Sequence, residues 1–393
     1  MKIDFYQKAR ETEEEIRSYY THLHRYPELS GQEYKTQEWI LGQLKKWKVE
    51  CRPCADTGVY AVIKSGRPGH TIALRADMDA LPVAEQTGFA WQSENAGVMH
   101  ACGHDGHTAA LLGAAVYLQE HREELSGTVK LIFQPGEENG QGARSIVESG
   151  AIDDVEGIFG LHVSSSLPTG QVTIRKGVMS SANDKFRIWI RGKGCHGSAP
   201  QNGADALLAS AALAQTLQTV ISRESDPLKP TVMTIGILQS GTAFNILPEN
   251  AYMEGSIRVL EEEQREVNRS AIRRMAQSTA QAYRCEAKTE FESTAKVVYN
   301  DGFLTDVAIE AAGKILGSKQ VGEQELSLGA EDFAEYLAVC PVTYMNVGSR
   351  NESLGITAPH HHGKFEIDED CLPISMALYI EFVYEYFRQR KVM

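Results

Sequence analysis

The alternation of apolar and polar positions in the first half of the chain predicts helices and strands in turn. A helix is predicted at 32–47, where Trp39, Ile40 and Leu44 lie on one stripe at helical spacing. Strands are predicted at 59–64, 71–75, 128–133 and 157–162, and a helix of small residues at 108–121. This alternation is typical of an α/β sheet with helices on both faces.

The middle of the chain has a different order of predicted elements. From Lys185 the pattern gives strand, helix, strand, strand, helix and strand, at 186–190, 204–222, 231–239, 251–259, 261–283 and 285–291. This is the βαββαβ order of a ferredoxin-like sandwich. After about Val298 the first pattern resumes, at 301–316, 344–347 and 373–389. We therefore predict a catalytic α/β domain formed by 1–184 and 298–393, with a small domain, 185–297, inserted in it.

Composition and charge narrow the class of protein. The chain has 393 residues, of which 42% are hydrophobic and 23% charged, as in folded globular proteins. The net charge is -13 and the basic residues are scattered, so we expect neither nucleic acid nor a membrane as partner. The first 18 residues are charged and helix-like, and no run approaches the roughly 18 apolar residues of a membrane span. We expect a cytoplasmic protein.

The cysteines do not indicate a disulfide framework. There are seven, an odd number in a chain too large to depend on disulfides, so we expect most to be reduced thiols. Cys51 and Cys54 form a Cys-x-x-Cys pair. Because no second pair follows at zinc-site spacing, we interpret them as two ordinary thiols near a strand.

The strongest chemical signal is the segment MHACGHDGHTAALLGAA, which begins at Met99. Cys102 and His104 are predicted to lie in a tight turn just before a helix of small residues. A thiol and an imidazole two residues apart at a helix N-terminus are suitable donors for a transition metal. Taken alone, the segment is equally typical of helix-capping residues beside a buried thiol.

A second signal is the adjacent pair Glu137 and Glu138 in QPGEEN, directly after the predicted strand TVKLIF. Open α/β sheets bind ligands at the carboxyl ends of their strands, and neighbouring carboxylates there are costly without a cation. Adjacent side chains diverge, so one carboxylate can bind a metal while the other acts as a general base on water. An exposed acidic pair in a loop is the alternative, since such pairs are common.

Histidines supply two further clusters. GLHV places His162 at the end of another predicted strand, and His360, His361 and His362 precede KFEIDED. Neutral imidazoles are common metal ligands, although a single His162 is more often a buried core residue. Four clusters that each end an element, in the order Cys/His, Glu/Glu, His and His, favour a metal site over coincidence.

These segments resemble the aminoacylase and carboxypeptidase G metallopeptidases, in the branch that includes hippurate hydrolase, N-acetyl-diaminopimelate deacetylase and auxin-conjugate hydrolases. The resemblance spans nearly the whole chain, and its motifs are highly specific in combination. In chain order they are LHRYPELSGQE from Leu23, LRADMDALP from Leu74, MHACGHDGHTA from Met99, FQPGEEN from Phe133, GLHV from Gly160, GCHGSAPQNGAD from Gly194, GTAFNILPENAYMEGSIR from Gly241, GAEDFA from Gly329 and HHGKFEIDED from His361.

The resemblance implies a dinuclear-metal peptidase-type α/β catalytic domain whose inserted ferredoxin-like domain serves as a lid and in dimerisation. It implies two divalent metal ions (Zn, Mn, Co or Ni), with Glu137 as the general base. The family's His-x-x-x-Phe/Tyr spacing, counted back from Phe365, selects His361 among the late histidines. The implied ligands are Cys102, His104, Glu138, His162 and His361.

Other residues acquire roles through the same resemblance. Asp77 is implied as a carboxylate that steadies a ligand, and His196 of the inserted domain as a donor to the tetrahedral oxyanion, across a homodimer. Asn245 and Arg258 are implied to hold the substrate carboxylate or the dimer geometry, and Glu331 to lie near the site. For His196 the alternative is capping of a turn in GCHGSAP.

Two departures from the family pattern stand out. After His196 the chain reads SAPQNGAD, where relatives often have a histidine after the proline, and Cys195 flanks His196. Gly363 stands two residues after His361, where proline is common in relatives. The first departure bears on substrate fit around the lid, and the second on the choice of His361.

The function implied by the resemblance is metal-dependent hydrolysis of the amide bond of an N-acyl amino acid, giving a carboxylic acid and a free amino acid. A di- or carboxypeptidase would use the same metals and differ only in the groups beside the scissile amide. A metal-binding protein without turnover is a further alternative. Glu137 argues against it, since ligation alone does not require this residue.

Overall fold

The computed structural model describes residues 4–390, which fall into two compact units. The first unit contains the chain up to Met179, Tyr299–Glu325 and the chain from Asp332 onward. The second unit contains Ser180–Val298 and Leu326–Glu331. Among residues 4–390, no helix combines the length and the apolar character that crossing a bilayer requires.

The N-terminal part of the chain alternates helices and strands. Asp4 caps the first helix by accepting the backbone N–H of Gln7 at 3.0 Å. Residues 1–3 of the predicted helix-like segment 1–18 lie outside the described residues. The helices are α1 (Phe5–Glu11), α2 (Glu13–Arg25), α3 (Tyr34–Lys46), α4 (His104–Glu120) and α5 (Gly142–Glu148). The strands are β1 (Glu50–Cys54), β2 (Gly58–Lys64), β3 (His70–Asp77), β4 (Gly127–Gln134), β5 (Ile158–Pro168), β6 (Val172–Ile174) and β7 (Gly177–Ser180).

The second unit has the element order strand, helix, strand, strand, helix, strand, with one short strand pair added. Asp205 caps its first helix by accepting the N–H of Leu208 at 3.0 Å. A π-helical turn at Val220–Glu224 follows that helix. The elements are β8 (Ala182–Arg191), β9 (Cys195–His196), α6 (Ala206–Thr219), β10 (Thr231–Ser240), β11 (Ile246–Leu247), β12 (Asn250–Val259), α7 (Glu262–Ala282) and β13 (Glu286–Ala295).

The sheet of the second unit is antiparallel, in the order β10-β12-β8-β13, which is ferredoxin-like. Burial alternates along β8, where Phe186, Ile188 and Ile190 point into the core. The apolar sides of α6 and α7 contribute to the same core, for example through Leu213 and Ile272. β9 and β11 pair separately.

After Val298 the chain belongs to the first unit, apart from Leu326–Glu331. Asp301 caps the next long helix by accepting the N–H of Leu304 at 2.9 Å. The elements are β14 (Val298–Asn300), α8 (Gly302–Leu316), β15 (Val321–Glu323), β16 (Val342–Arg350) and α9 (Cys371–Gln389). Short 3-10 helices lie at Arg122–Glu124, Pro200–Asn202, Ser318–Gln320, Asp332–Ala338 and Glu352–Leu354.

The large sheet is mixed and has ten strands, in the order β1-β2-β4-β3-β5-β16-β14-β7, with β6 and β15 paired beside β16. Its centre is parallel, because β3 pairs parallel with β4 and β5, and β5 with β16. The helix α4 packs against α2, α9 and β3 and is buried on all sides, as its run of small apolar residues predicts.

Two elements differ from their predicted bounds in ways that affect the site. The helix α4 begins at His104 rather than 108, so His104 belongs to the helix and not to the turn before it. The strand β5 continues to Pro168, so His162 lies within the strand and does not end it. The extension is stable because β16 pairs along this edge of β5 over almost its whole length.

Candidate metal centre

A tight turn at Gly103 directs Cys102 and His104 towards the same place. Gly103 has φ of +92°, and a Cβ atom there would lie 2.3 Å from Val163 Cγ2, so only glycine fits. His104 follows directly as the first residue of α4 and is fully buried, while Cys102 is 9% exposed. The turn and the helix start therefore bring a thiol and an imidazole into the interior of the first unit.

The direction of the His104 ring is fixed by Asp79. Nδ1 of His104 lies 3.0 Å from the backbone carbonyl oxygen of Asp79 and 3.2 Å from its Oδ1. A carbonyl oxygen only accepts, so Nδ1 carries a proton. Burial disfavours the charged ring, but Asp77 and the Cys102 thiolate outweigh it and raise the pKa of His104, so Nε2 presents its lone pair when a metal displaces its proton. His104 Nε2 is buried and has no hydrogen-bond partner within residues 4–390. Carboxylate oxygens of Asp77 and Glu137 lie 3.8 and 3.9 Å from it.

Cys102 and His162 form the next contact of the cluster. Cys102 Sγ lies 3.4 Å from His162 Nε2, while His162 Nδ1 donates to the carbonyl oxygen of Val163 at 2.6 Å. Burial disfavours the thiolate, but the charges of His162 and His104 outweigh it and hold the pKa of Cys102 well below its usual range. Burial likewise disfavours a charged His162, yet the Cys102 thiolate raises its pKa to about 9.

The glutamate pair stands just beyond the end of β4. The side chains of Glu137 and Glu138 are 11% and 12% exposed, so they do not form a freely solvated acidic pair. Glu137 and Glu138 each offer an oxygen within 4.8 Å of a ring nitrogen of His104, and Glu138 also lies within that distance of Cys102 and His361. Two groups of potential ligands thus share Glu138.

The three late histidines face different neighbours. His361 Nε2 lies 3.2 Å from Glu138 Oε1, and the contacts with Cys102 and Glu138 raise its pKa to about 10. His360 Nε2 accepts the backbone N–H of Ser165 at 3.2 Å. His362 Nδ1 accepts the N–H of Lys364 at 3.1 Å. The ring of His360 packs against that of His162 with centroids 5.3 Å apart, but of the three it is His361 that offers a ring nitrogen close to Cys102 and Glu138.

The backbone around His361 is constrained. His361 has φ of +64°, a conformation that is rare for residues other than glycine, and its N–H donates to the carbonyl oxygen of Ala101 at 2.8 Å. At Gly363 a Cβ atom would lie 2.6 Å from the carbonyl oxygen of Ala84, so a side chain there requires the loop to move. The close approach of this loop to Ala84 explains the glycine.

This donor set fits divalent metal ions. Nε2 of His104, the soft thiolate of Cys102 and the hard carboxylate of Glu138 are together the kinds of donor that bind zinc and similar divalent ions. The Cys102 thiolate raises the pKa of His162, and Cys102 and Glu138 raise that of His361. The same negative groups favour a bound cation. A hydrogen bond to the other ring nitrogen orients both His104 and His162, as is usual for metal-binding histidines.

His107 belongs to a further group of close donors, with Asp77, His104 and His162. Both of its ring nitrogens are engaged, since Nδ1 donates to Asp77 Oδ1 at 2.5 Å and Nε2 accepts the N–H of Val163 at 2.8 Å. Burial lowers the pKa of His107 to about 4, consistent with a neutral ring. His107 therefore supports the cluster, and His104 and His162 are the members with a nitrogen directed into it.

Asp77 is anchored behind the cluster. Its Oδ1 accepts from Nδ1 of His107, and its Oδ2 accepts from the fully buried Arg75 at 2.6 Å. Burial opposes the ionised form, but Arg75, His104 and His107 outweigh it and hold the pKa of Asp77 well below its usual range. Gln134 accepts from Arg75 Nε at 2.7 Å and donates to Asp332, which extends the network below the site.

The predicted site residues of the second unit lie in two separate groups within that unit. His196 and Asn245 are neighbours, because β9 pairs with β11 and the N–H of Gly197 donates to the Asn245 carbonyl oxygen at 2.8 Å. Both residues are exposed. His196 Nδ1 lies 2.7 Å from Ser198 Oγ and accepts the Ser198 N–H at 3.1 Å. In this structure His196 thus caps the turn in GCHGSAP.

The other place in the second unit holds Arg258 and the segment with Glu331. Arg258 donates to the carbonyl oxygen of Leu328 at 2.7 Å. Ser181 also binds this segment, since its hydroxyl donates to the Leu328 carbonyl oxygen at 2.9 Å. Glu331 ends the segment that groups with the second unit.

Asp79, like His107, supports the site and was missed by sequence reasoning. It lies in LRADMDALP, two residues after Asp77, and it is 1% exposed. Besides orienting His104, its Oδ2 accepts from Ser30 Oγ at 2.6 Å and from the N–H of Glu138 at 3.0 Å. The available signal was the second acidic residue after a strand, together with Ser30 in LSGQE.

Comparisons with known proteins identify relatives that match most of this chain. The model of peptidase family M20/M25/M40 matches residues 73–385. "Thermostable carboxypeptidase 1" of Saccharolobus solfataricus is 41% identical over 372 residues, which cover 93% of this chain and 94% of that protein. "N-acetyl-L-cysteine deacetylase" of Bacillus subtilis is 37% identical over 352 residues, covering 89% of this chain and 83% of that protein.

Solved structures show the same similarity. The YXEP protein of Bacillus subtilis, described as a dinuclear metal-binding peptidase, is 34% identical to this chain. The match covers 96% of this chain and 99% of that one, with a TM-score of 0.86. The similarity in fold therefore extends over both units, each of which contains predicted site residues.

Proposed function

The chain belongs to the peptidase family M20/M25/M40, and from this membership we propose that it is a metal-dependent amidohydrolase acting on N-acyl amino acids. The products are a carboxylic acid and a free amino acid. The observation that carries the proposal is that Glu137 lies beside a ligand cluster, with its Oε2 3.9 Å from Nε2 of His104. A carboxylate next to such a cluster is placed to act on water.

We assign two divalent metal ions to the cluster, with Zn, Mn, Co or Ni as candidates. When bound, such ions lower the pKa of water and polarise a carbonyl group. The dinuclear description of the YXEP protein supports the number of ions. The proposed ligands are Cys102, His104, Glu138, His162 and His361, whose potential ligand atoms lie close together.

Each proposed site residue has its own role in the reaction. Glu137 takes the proton of the attacking water and returns it to the leaving amine. Asp77 holds the imidazole of His107, and Asp79 holds that of His104. His196 donates to the oxyanion, a contribution typically worth about 3 kcal/mol for one donor. Asn245 and Arg258 bind the substrate carboxylate or hold the dimer, and Glu331 lies near the site.

We further propose a cytoplasmic homodimer formed through the second unit, 185–297 in the predicted bounds, which serves as lid and dimerisation domain. The strand β10 is an edge strand of its sheet, and edge strands are common sites of pairing between chains. Exposed apolar side chains on α6 and β10 also favour an interface here. Each is more than a third exposed: Leu207, Leu208, Val232, Ile237 and Leu238.

A di- or carboxypeptidase is the second candidate. It is favoured by the 41% identity to a protein named thermostable carboxypeptidase, against 37% for the deacetylase. The ligand cluster is equally suitable for both reactions, since they differ only beyond the scissile amide. The presence of Glu137 argues against a metal-binding protein without turnover, because metal binding alone does not require a base.

A product screen tests the proposal. The protein is loaded with Zn, Mn or Co and incubated with N-acetyl, N-benzoyl and N-succinyl amino acids and with dipeptides, and the free amino acids are measured. We expect turnover of at least one N-acyl series at a higher kcat/KM than any dipeptide. Preference for dipeptides would support the peptidase, and no turnover with any metal would contradict both.

A further inference from the structure

The loop that carries Glu137 is held by two buried carboxylates, one on each side of this residue. Glu33 Oε1 accepts the backbone N–H of Gly136 at 2.8 Å, and Asp79 Oδ2 accepts that of Glu138 at 3.0 Å. Glu33 and Asp79 are 0% and 1% exposed. Glu137 therefore lies between two peptide groups that are each anchored to the interior.

Glu33 is itself fixed from the opposite side. The hydroxyl of Thr57 donates to Glu33 Oε2 at 2.6 Å, and Thr57 is 1% exposed. Both carboxylate oxygens thus have a buried donor, which offsets the cost of removing this polar group from water. Glu33 precedes α3, and Thr57 precedes β2, so two regular elements hold the carboxylate in place.

The carbonyl oxygen of Gly136 is bonded within its own loop and at the start of α5, since it accepts the N–H groups of Gln141 and Gly142 at 3.3 and 3.0 Å. The strand β4 ends at Gln134, and Gly136 has φ of +57°, which interrupts any regular structure. Within the loop, the N–H of Gly140 donates to the Glu137 carbonyl oxygen at 2.8 Å. These internal bonds shape the turn, whereas the bonds to Glu33 on one side of Glu137 and to Asp79 on the other tie the turn to the rest of the first unit.

We propose that Glu33 is a positioning residue for the general base, and that it sets the direction of the Glu137 side chain by holding the Gly136 peptide. The inference rests on the proposed function, because it takes Glu137 as the base. Proton transfer depends steeply on geometry, and a displacement of about 1 Å can lower a rate about 100-fold. Glu33 acts through the loop and does not need to touch substrate.

The test compares Glu33→Ala with Glu33→Gln in the metal-loaded protein. Glutamine keeps an oxygen for the Gly136 N–H and an amide that can donate to Thr57, whereas alanine keeps neither. Asp301→Ala is the matched control, because Asp301 also accepts a backbone N–H in the first unit, that of Leu304, at a helix end. Metal content, kcat, KM and thermal unfolding are measured for all three.

We expect Glu33→Ala to keep its metal and to lower kcat about 10- to 100-fold, with KM within about threefold of wild type. Glu33→Gln should recover at least a third of the wild-type kcat, and Asp301→Ala should keep kcat. A wild-type kcat in Glu33→Ala, an equal loss in Glu33→Gln, or a loss confined to KM would overturn the proposal.

Hydrogen exchange gives a readout that does not depend on turnover. In protein stripped of metal, the amide of Gly136 should exchange at least about tenfold faster in Glu33→Ala than in wild type, because its acceptor is gone. Unchanged exchange would overturn the proposal even if kcat falls. If the wild type hydrolyses no N-acyl amino acid, the proposed function fails, while exchange at Gly136 still tests the anchoring by Glu33.

Thr57→Val covers the case in which Glu33→Ala does not fold. This variant removes only the hydroxyl that donates to Glu33 Oε2 and preserves the shape of the side chain. We expect kcat to fall at least about threefold with unchanged KM and metal content. A wild-type kcat in a folded Thr57→Val, together with wild-type exchange at Gly136, would overturn the proposal.

Discussion

Asp79 Oδ1 lies 3.2 Å from Nδ1 of His104, so one buried carboxylate sets the direction in which this imidazole presents its lone pair. The same side chain accepts the N–H of Glu138 through its other oxygen. Asp79 thus holds two of the proposed ligands at once, although it is not a ligand itself. Removing it should disturb metal binding without removing any donor atom.

We predict that Asp79→Ala weakens metal binding about 10- to 100-fold, as is typical when a partner of a metal-binding histidine is removed. The measurement is the metal dissociation constant, obtained by competition with a chelator of known affinity. Glu50→Ala serves as control, since Glu50 is an exposed carboxylate paired only at the surface with Lys64. Equal affinities in Asp79→Ala and wild type would contradict the role given to this residue.

We predict that Glu137→Gln keeps its metal content and lowers kcat at least about 100-fold, because only proton transfer is lost. Glutamine is nearly isosteric with glutamate and cannot act as a base. Metal analysis and kcat are measured on the same preparation, so that loss of metal and loss of the base are separated. Near-normal turnover in the metal-loaded variant would show that another group acts as the base.

The late histidines should differ sharply from one another. His361→Ala should lose metal and activity, because its ring lies 3.2 Å from Glu138. His360→Ala and His362→Ala should cost much less, because a ring nitrogen of each accepts a backbone N–H, that of Ser165 or Lys364. Metal content and kcat of the three single variants provide the comparison. Loss of metal in His362→Ala with retention in His361→Ala would show that the assignment is wrong by one residue.

The elements of the fold could be predicted because their hydrophobic periodicity is local. The strands β4 and β12 lie within one residue of their predicted bounds at each end. The start of α4 could not be predicted, because it depends on the positive φ of Gly103 beside Val163, a residue distant in the chain. Likewise, Leu326–Glu331 groups with the second unit through contacts with Ser181 and Arg258, which no local pattern indicates.

The proposed metal ligands could be predicted from the sequence, but the residues that hold them in place could not. Cys102, His104 and the glutamate pair stand out because their side chains are of metal-binding type at element ends. Asp79 and Glu33 have the same chemistry as many surface acids in this chain. Their roles depend on the backbone groups of Glu138 and Gly136, which only the folded chain brings to them.

A pH dependence of stability is expected from His24. Its Nδ1 lies 2.7 Å from Asp105 and its Nε2 3.2 Å from Glu85. Burial disfavours the charged ring, but these two carboxylates outweigh it and raise the pKa of His24 to about 9. The folded state therefore binds this proton more tightly than the unfolded state, where the pKa is about 6.5.

A raised pKa in the folded state contributes stability that is complete below about pH 6.5 and is lost as the pH rises through about 9. The loss amounts to about 3 kcal/mol at most. We expect the free energy of unfolding in urea, measured with excess chelator, to fall more between pH 6.5 and 9.5 in wild type than in His24→Gln. The same pH dependence in both proteins would show that His24 is not charged in the folded state.

The last prediction concerns His196, which lies in the second unit, exposed and beside Asn245. Its hydrogen bonds within the second unit go to Ser198, and its exposed ring is open to another surface. In a two-fold dimer formed through the second unit, the partner subunit is such a surface. We therefore predict that His196 acts on the site of the other subunit.

Mixing two inactive variants distinguishes action across the dimer from action within one chain. Subunits with Glu137→Gln and subunits with His196→Ala are combined under conditions that allow exchange. If His196 acts across the dimer, a heterodimer has one site with both Glu137 and His196 intact and a second site with neither. Activity should then recover towards half of the wild-type value per heterodimer. If His196 acts within its own chain, every site lacks one of the two residues. Exchange demonstrated by mass, with no recovery of activity, would therefore restrict His196 to its own subunit or to the turn that it forms with Ser198.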